Sequence, residues 1–151
     1  MSQRFNVRQA APEGYKAFGP LYQYVESCGL GRRLVDLVFL RVSQINGCSY
    51  CVDKHWSDLI KDGEDQRKLN SVITWKEAPL FSARERAALA WADSLTNLPQ
   101  TGAPDGDYAT VTSEFSEKEV ADLTIVIGLM NAMNRIGVGS RLAPALDAKA
   151  A

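Results

Sequence analysis

Apolar residues recur along the chain at helical spacing, and they are densest between Arg32 and Ile45. The apolar positions of that segment cover nearly the whole circumference of a helix: Leu34, Val35, Leu37, Val38, Phe39, Leu40, Val42 and Ile45. A helix that is apolar on all sides is buried rather than half exposed. Gly31 precedes the segment and Asn46-Gly47 follows it, where glycine suits the left-handed residue that ends a helix. We therefore predict a buried helix over 32–45.

The same periodicity and the helix-capping residues predict further helices. Two Ser-x-x-Glu capping boxes, at Ser82 and Ser116, each open a helix, and the second of these carries the apolar run LTIVIGLMNAM. We predict three more helices, at about Cys48–Lys61, Glu64–Ile73 and Tyr108–Phe115, and the helix that Ser82 opens should end near Leu95. A loop should run from Leu98 to Asp107, and the tail from Val138 is not assigned a structure. Alternating runs typical of strands are missing. We predict an all-α fold in a single domain, 1–151, with its core at about 15–140.

Charge and composition restrict the possible partners. Lys and Arg (17) nearly balance Asp and Glu (18), the formal net charge is −1, and no block of like charge occurs. Nucleic acid and anionic membrane surfaces are therefore not expected partners. The N-terminal MSQRFNVRQAAPEG lacks an apolar signal core, and no apolar run approaches the ~18 residues that a membrane span requires. We predict a soluble, cytoplasmic protein.

The segment CSYCVDKH holds two of the three cysteines and the only histidine. On a helix, Cys48, Cys51 and His55 share one face. If the helix begins at Cys48, both sulfurs lie near unpaired backbone N–H groups and the positive end of the helix dipole, which favours a thiolate. The spacing allows a disulfide between the two cysteines, and His55 lies close enough to Cys51 to transfer a proton.

Asp36 interrupts the apolar circumference of the predicted buried helix, and a buried carboxylate needs a partner. Antiparallel packing of the two neighbouring helices would bring it towards His55. Three interpretations compete: a redox dithiol, which we favour; a zinc site of Cys48, Cys51, His55 and Asp36, which lacks the usual second cluster of ligands; and chance packing on a helix. We interpret Cys28 as a small buried hydrophobe.

Two runs, LVDLVFLRVSQINGCSYCVDKHWSDLIKDGE and FSEKEVADLTIVIGLMNAMNRIGVGSRL, strongly resemble the alkylhydroperoxidase D (AhpD)-like branch of the carboxymuconolactone decarboxylase superfamily. The family signature is an acid twelve residues before a CxxC pair and a histidine four residues after its second cysteine. Cys48, Cys51 and His55 match it directly. Asp36 occupies the acidic position, where glutamate is usual, and Tyr50 stands where some peroxidases carry a second histidine.

The resemblance implies an all-α fold assembled as homotrimers or hexamers, and a thiol-dependent peroxidase activity that needs no cofactor and no metal. It implies that a hydroperoxide oxidises Cys51, that Cys48 resolves the product and faces the reductant, and that His55 and Asp36 relay the proton. A dithiol such as a lipoyl protein would restore the pair. The alternative is a non-enzymatic helical domain for oligomerisation or redox sensing. Decarboxylation is not expected, because the branch that performs it lacks the dithiol.

Overall fold

A computed structural model describes residues 2–145, and the regular structure of this part is entirely helical. Its elements in chain order are α1 (Val7–Ala10), α2 (Pro12–Lys16), α3 (Phe18–Ser27), α4 (Arg32–Asn46), α5 (Ser49–Lys61), α6 (Gln66–Asn70), a 3₁₀ turn (Ser71–Thr74), α7 (Ala83–Thr96), α8 (Leu98–Thr101), α9 (Asp105–Thr112) and α10 (Glu117–Ser140). No strand occurs within residues 2–145, which confirms the predicted all-α fold.

Helix α4 lies at the centre of the domain and packs against α5, α7 and α10. One apolar cluster fills the space between α4, α7, α9 and α10 and includes both Cys48 and Cys51. A second cluster lies between α4, α5, α6 and α7 and includes Leu37, Leu59 and Leu89. Because α4 contributes to both clusters, almost its whole circumference is buried, as the sequence predicts. Over residues 2–145 no helix is both long and apolar enough to cross a bilayer.

The turn between α4 and α5 fixes the position of the first cysteine. Gly47 has φ 68°, a left-handed conformation that glycine adopts without steric cost. Its N–H donates to the carbonyl of Gln44 at 3.3 Å, and the N–H of Cys48 donates to the carbonyl of Ser43 at 3.0 Å. These two bonds form a Schellman motif, which closes α4 and starts α5 immediately afterwards.

Both predicted capping boxes are present, at the starts of α7 and α10. Other boundaries differ from the sequence prediction. The predicted helix over 64–73 begins later, because the Asp65 side chain accepts from the N–H of Arg67 and caps α6, and after Asn70 it continues as a 3₁₀ turn. The predicted helix over 108–115 begins earlier, at Asp105, directly after Pro104.

The predicted loop over 98–107 and the N-terminal region also contain more helix than the sequence pattern indicates. Leu98–Thr101 forms one helical turn with proline near its start. Helices α1 and α2 bury no residue, whereas α3 buries Val25 and packs the partly buried Phe18, Leu21 and Tyr22 against the core. Helix α10 continues to Ser140 within the tail left unassigned, and the remainder of that tail from 146 lies outside the described residues.

Candidate active site

The two cysteines of the CxxC pair form a disulfide at the start of α5. Cys48 is the N-cap residue and Cys51 lies in the first turn, and their Cα atoms are 5.3 Å apart. Cys28 is a free cysteine at an intermediate level of burial, and its sulfur contacts the carbonyl oxygen of Val25 at 3.2 Å. The pairing between adjacent turns that the spacing allows is therefore present.

Helix α10 approaches the disulfide through a glycine. A Cβ atom added to Gly137 would lie 2.9 Å from Sγ of Cys48 and 3.7 Å from Sγ of Cys51. The first distance is shorter than any that packed side chains tolerate. The lack of a side chain at Gly137 therefore gives the two sulfurs the space that they occupy. The sequence did not indicate this role, because a glycine in an apolar helix carries no distinguishing pattern.

Hydrogen-bonded polar side chains tie the end of α4 to α10 near this contact. Nδ2 of Asn134 donates to Oγ of Ser43 at 3.0 Å, and Nδ2 of Asn46 donates to Oδ1 of Asn134 at 3.0 Å and of Asn131 at 3.1 Å. Asn134 and Ser43 are fully buried, where unpaired amides would be costly. These bonds hold α10 in register against the turn that carries Cys48.

His55 and Asp36 meet as the packing of α4 against α5 suggests. Nδ1 of His55 lies 3.0 Å from Oδ1 of Asp36, and the two residues are 5% and 7% exposed. A carboxylate accepts hydrogen bonds, so we assign a proton to Nδ1, which leaves Nε2 as the ring nitrogen that does not face Asp36. The ring also packs against Phe39, with ring centroids 4.9 Å apart. Aspartate thus reaches the imidazole directly.

Two further charged residues beside this pair were not found from the sequence. Nε of Arg32 lies 3.6 Å from Oδ2 of Asp36, one helical turn before it, and 3.3 Å from Asp62. Asp58 lies one turn after His55. Burial by itself would raise the pKa of Asp58, but the hydrogen bond and charge of Lys54, with smaller contributions from His55 and Lys61, hold that pKa below its usual value. Spacings of three and four residues were the available signal for both.

Asp58 also changes the set of possible metal ligands. Ligand atoms of Asp36, His55 and Asp58 lie within 4.8 Å of one another, and this group contains neither cysteine. Asp58 accepts from Lys54 at 2.6 Å, and Asp36 contacts His55 and Arg32, so both carboxylates already have cationic or N–H partners. The sulfurs are bonded to each other and are not thiolate ligands in this state. The arrangement therefore favours an internal ion network over the zinc site considered from sequence.

A cavity of about 470 Å³ opens beside the disulfide and the histidine. Its lining includes Cys51 and His55 but not Cys48, which is 1% exposed. A second cavity of about 480 Å³ lies on the other side of the histidine, and its lining includes Asp36, Asp58 and Arg32. His55 therefore lies between a cavity lined by Cys51 and one lined by the two carboxylates.

The chain is similar to known proteins over almost its whole length. Residues 12–94 match the model of the carboxymuconolactone decarboxylase family. Uncharacterized protein YdfG of Bacillus subtilis (strain 168) is 35% identical over 145 residues, which cover 95% of this chain and 99% of that protein. A solved structure of a protein of unknown function from Agrobacterium tumefaciens, a putative antioxidant defence protein AhpD, superimposes with a TM-score of 0.94 at 40% identity, covering 97% of this chain and 100% of that chain.

A more distant structure shares the fold alone. The AhpD core of an uncharacterized peroxidase-related protein from Ralstonia eutropha JMP134 gives a TM-score of 0.80 at 18% identity, over 91% of this chain and 74% of that chain. Together, the fold, the matched family model and the two closer relatives define the class. The chain belongs to the carboxymuconolactone decarboxylase family, in its AhpD-like branch, which confirms the family predicted from the sequence.

Proposed function

We propose that the protein is a dithiol peroxidase that reduces organic hydroperoxides through Cys51 and Cys48. The observation that carries this proposal is the joint position of Cys51 and His55 on one cavity wall, with Asp36 on the far nitrogen of the histidine. A nucleophilic thiol, a base within reach and a group that orients the base are the three parts of an activated nucleophile.

In the reduced protein, Nε2 of His55 accepts the proton of the Cys51 thiol, while Asp36 stabilises the imidazolium through Nδ1. The thiolate attacks one peroxide oxygen, the O–O bond breaks, and the sulfur becomes a sulfenic acid. The imidazolium returns its proton to the departing alkoxide, which leaves as an alcohol. The two electrons that cleave the peroxide come from the Cys51 sulfur.

Cys48 then attacks the sulfur of Cys51, which forms the disulfide and releases water. A dithiol reductant, of which a lipoyl protein is one example, reduces the disulfide and is itself oxidised to a disulfide. The sum is one hydroperoxide and one dithiol converted to an alcohol, water and a disulfide. That Cys48 faces the reductant stays a prediction, because Cys48 is buried in the oxidised state. A dithiol that must be reduced again suits a reducing compartment, so we propose a cytoplasmic location.

We also propose that the protein works as a homo-oligomer, a trimer or hexamer. Helix α10 buries ten of its 24 residues, and Ile125 and Val138 on its remaining surface are 37% and 46% exposed, while Ile73 outside it is 62% exposed. Exposed large apolar side chains of this kind suit a subunit contact.

Turnover with a chemical dithiol tests the proposed activity. Purified protein with dithiothreitol and cumene hydroperoxide should consume the peroxide catalytically, and Cys51→Ser should abolish this consumption at every pH because the nucleophile is lost. Cys28→Ser is the matched control and should retain turnover. Stoichiometric oxidation of the two thiols without turnover would instead favour the redox-sensing alternative.

A further inference from the structure

The cavity beside Cys51 is mostly apolar and aromatic. Its lining includes three side chains from α10 and three tyrosines: Met130, Met133, Ile136, Tyr15, Tyr22 and Tyr50. Burial raises the pKa of Tyr22 to about 12, so this phenol remains neutral at ordinary pH. A volume of about 470 Å³ is that of a small-molecule site. Most of the wall therefore suits a hydrocarbon chain or ring.

The charged side chains of the same wall are basic. Among the described residues, the lining contains Arg8 and Lys54 but neither Asp nor Glu. Lys54 pairs with Asp58 at 2.6 Å, so its charge is balanced. An anion that enters the cavity meets no carboxylate on its wall.

Arg8 is the cation of this wall that lacks a carboxylate partner within residues 2–145. Its Nη2 donates to Oη of Tyr15 at 3.1 Å, and its Cζ lies 4.9 Å from the centre of the same ring. A tyrosine hydroxyl positions the guanidinium without neutralising it. The remaining N–H groups of the fork stay available for a planar, bidentate acceptor such as a carboxylate.

We propose that the substrate is an amphipathic hydroperoxide with a carboxylate at one end: Arg8 binds the carboxylate, the apolar wall holds the chain, and the peroxide meets Cys51. This proposal rests on the peroxidase function above and specifies its substrate class. The product is the matching hydroxy acid, since the O–O bond breaks as described, the alkoxide takes a proton from His55 and the second oxygen leaves as water.

The test compares the hydroperoxide of linoleic acid with the hydroperoxide of its methyl ester, below micelle-forming concentrations and with dithiothreitol as reductant. The two substrates share the chain and the peroxide and differ only at the carboxyl end, which is an anion in the acid and a neutral methyl ester in the other. Wild type should favour the acid by about two- to fivefold in kcat/KM, the range for an ion pair at an exposed arginine such as Arg8. Arg8→Gln should reduce that ratio to about one, and Arg8→Lys should retain part of it.

Arg135→Gln is the matched control, because Arg135 is an exposed arginine outside the cavity lining that bonds to the carbonyl of Asn131 within its own helix. It should keep the full ratio. Equal rates on acid and ester in wild type, or an unchanged ratio in Arg8→Gln, would overturn the substrate class if tert-butyl hydroperoxide is still reduced. Failure to reduce tert-butyl hydroperoxide and both lipid substrates would refute the peroxidase function and this proposal together.

Discussion

Replacing Gly137 with alanine tests the close approach of α10 to the disulfide. An alanine inside a helix stabilises it by about 1 kcal/mol relative to glycine. At this position the new Cβ would lie 2.9 Å from Sγ of Cys48, so the sulfur or the helix must move. Excess volume in a packed core costs about 1–3 kcal/mol. The net change in the free energy of unfolding is expected to be a loss of up to about 2 kcal/mol.

Gly128→Ala separates the two contributions. Gly128 lies in the middle of the same helix, and a Cβ there would meet nothing within 4 Å. It should gain the helix contribution without the collision, so the two variants should differ by about 1–3 kcal/mol. Gly139→Ala, which also has open space around its Cβ, serves as a second control in case Gly128 lies in a subunit contact.

Urea unfolding at one fixed protein concentration measures the difference, with and without reductant. Stopped-flow oxidation adds a kinetic readout: a displaced Cys48 should close the disulfide more slowly, by about tenfold for each 1.4 kcal/mol added to that barrier. Equal stability of Gly137→Ala and Gly128→Ala in both redox states would show that the helix leaves room for the methyl group, and would refute this reasoning.

Three further results are expected. His55→Gln should slow oxidation by hydroperoxide roughly 10²-fold, and Asp36→Asn about tenfold, with partial recovery at higher pH; unchanged peroxide kinetics in His55→Gln would exclude the relay. Light scattering should give a mass of three or six times 16.6 kDa at micromolar concentration, and a stable monomer would contradict the proposed oligomer. Partial burial opposes ionisation of Glu85, but hydrogen bonds from Lys68 and Ser82 hold its pKa below the usual value of 4.5. The free energy of unfolding should therefore fall as pH drops below about 4.5. In acid-unfolding curves Glu85→Gln should lose less stability over that range than wild type, and equal losses would refute the assignment.

The sequence predicts the central part of the fold well because its helices there have strong local signals. The apolar circumference of α4, the left-handed Gly47 and the serine caps of α7 and α10 each act within a few residues. Helices α1 and α2 have only four and five residues and bury none of them, so no apolar period marks them. Helix α3 does carry apolar residues at helical spacing, Phe18, Leu21, Tyr22 and Val25, and the prediction overlooked them.

The candidate site was likewise predictable from the sequence only in part. Cys48, Cys51 and His55 lie on one helix, so their spacing predicts that they share a face. The contact of His55 with Asp36 depends on how two helices pack, which spacing suggests but does not fix. Gly137 and Arg8 reach the site from distant parts of the chain, and only the tertiary structure brings them there.

Trapping the first oxidised intermediate tests the assignment of Cys51 as the nucleophile. Reduced Cys48→Ser protein, in a Cys28→Ser background, receives one equivalent of cumene hydroperoxide in the presence of dimedone, and mass spectrometry locates the adduct. We predict a single sulfenic acid adduct on Cys51 and no catalytic turnover, because the resolving thiol is absent. An adduct on Cys48 in the corresponding Cys51→Ser protein, with none on Cys51 in Cys48→Ser, would contradict the proposed mechanism.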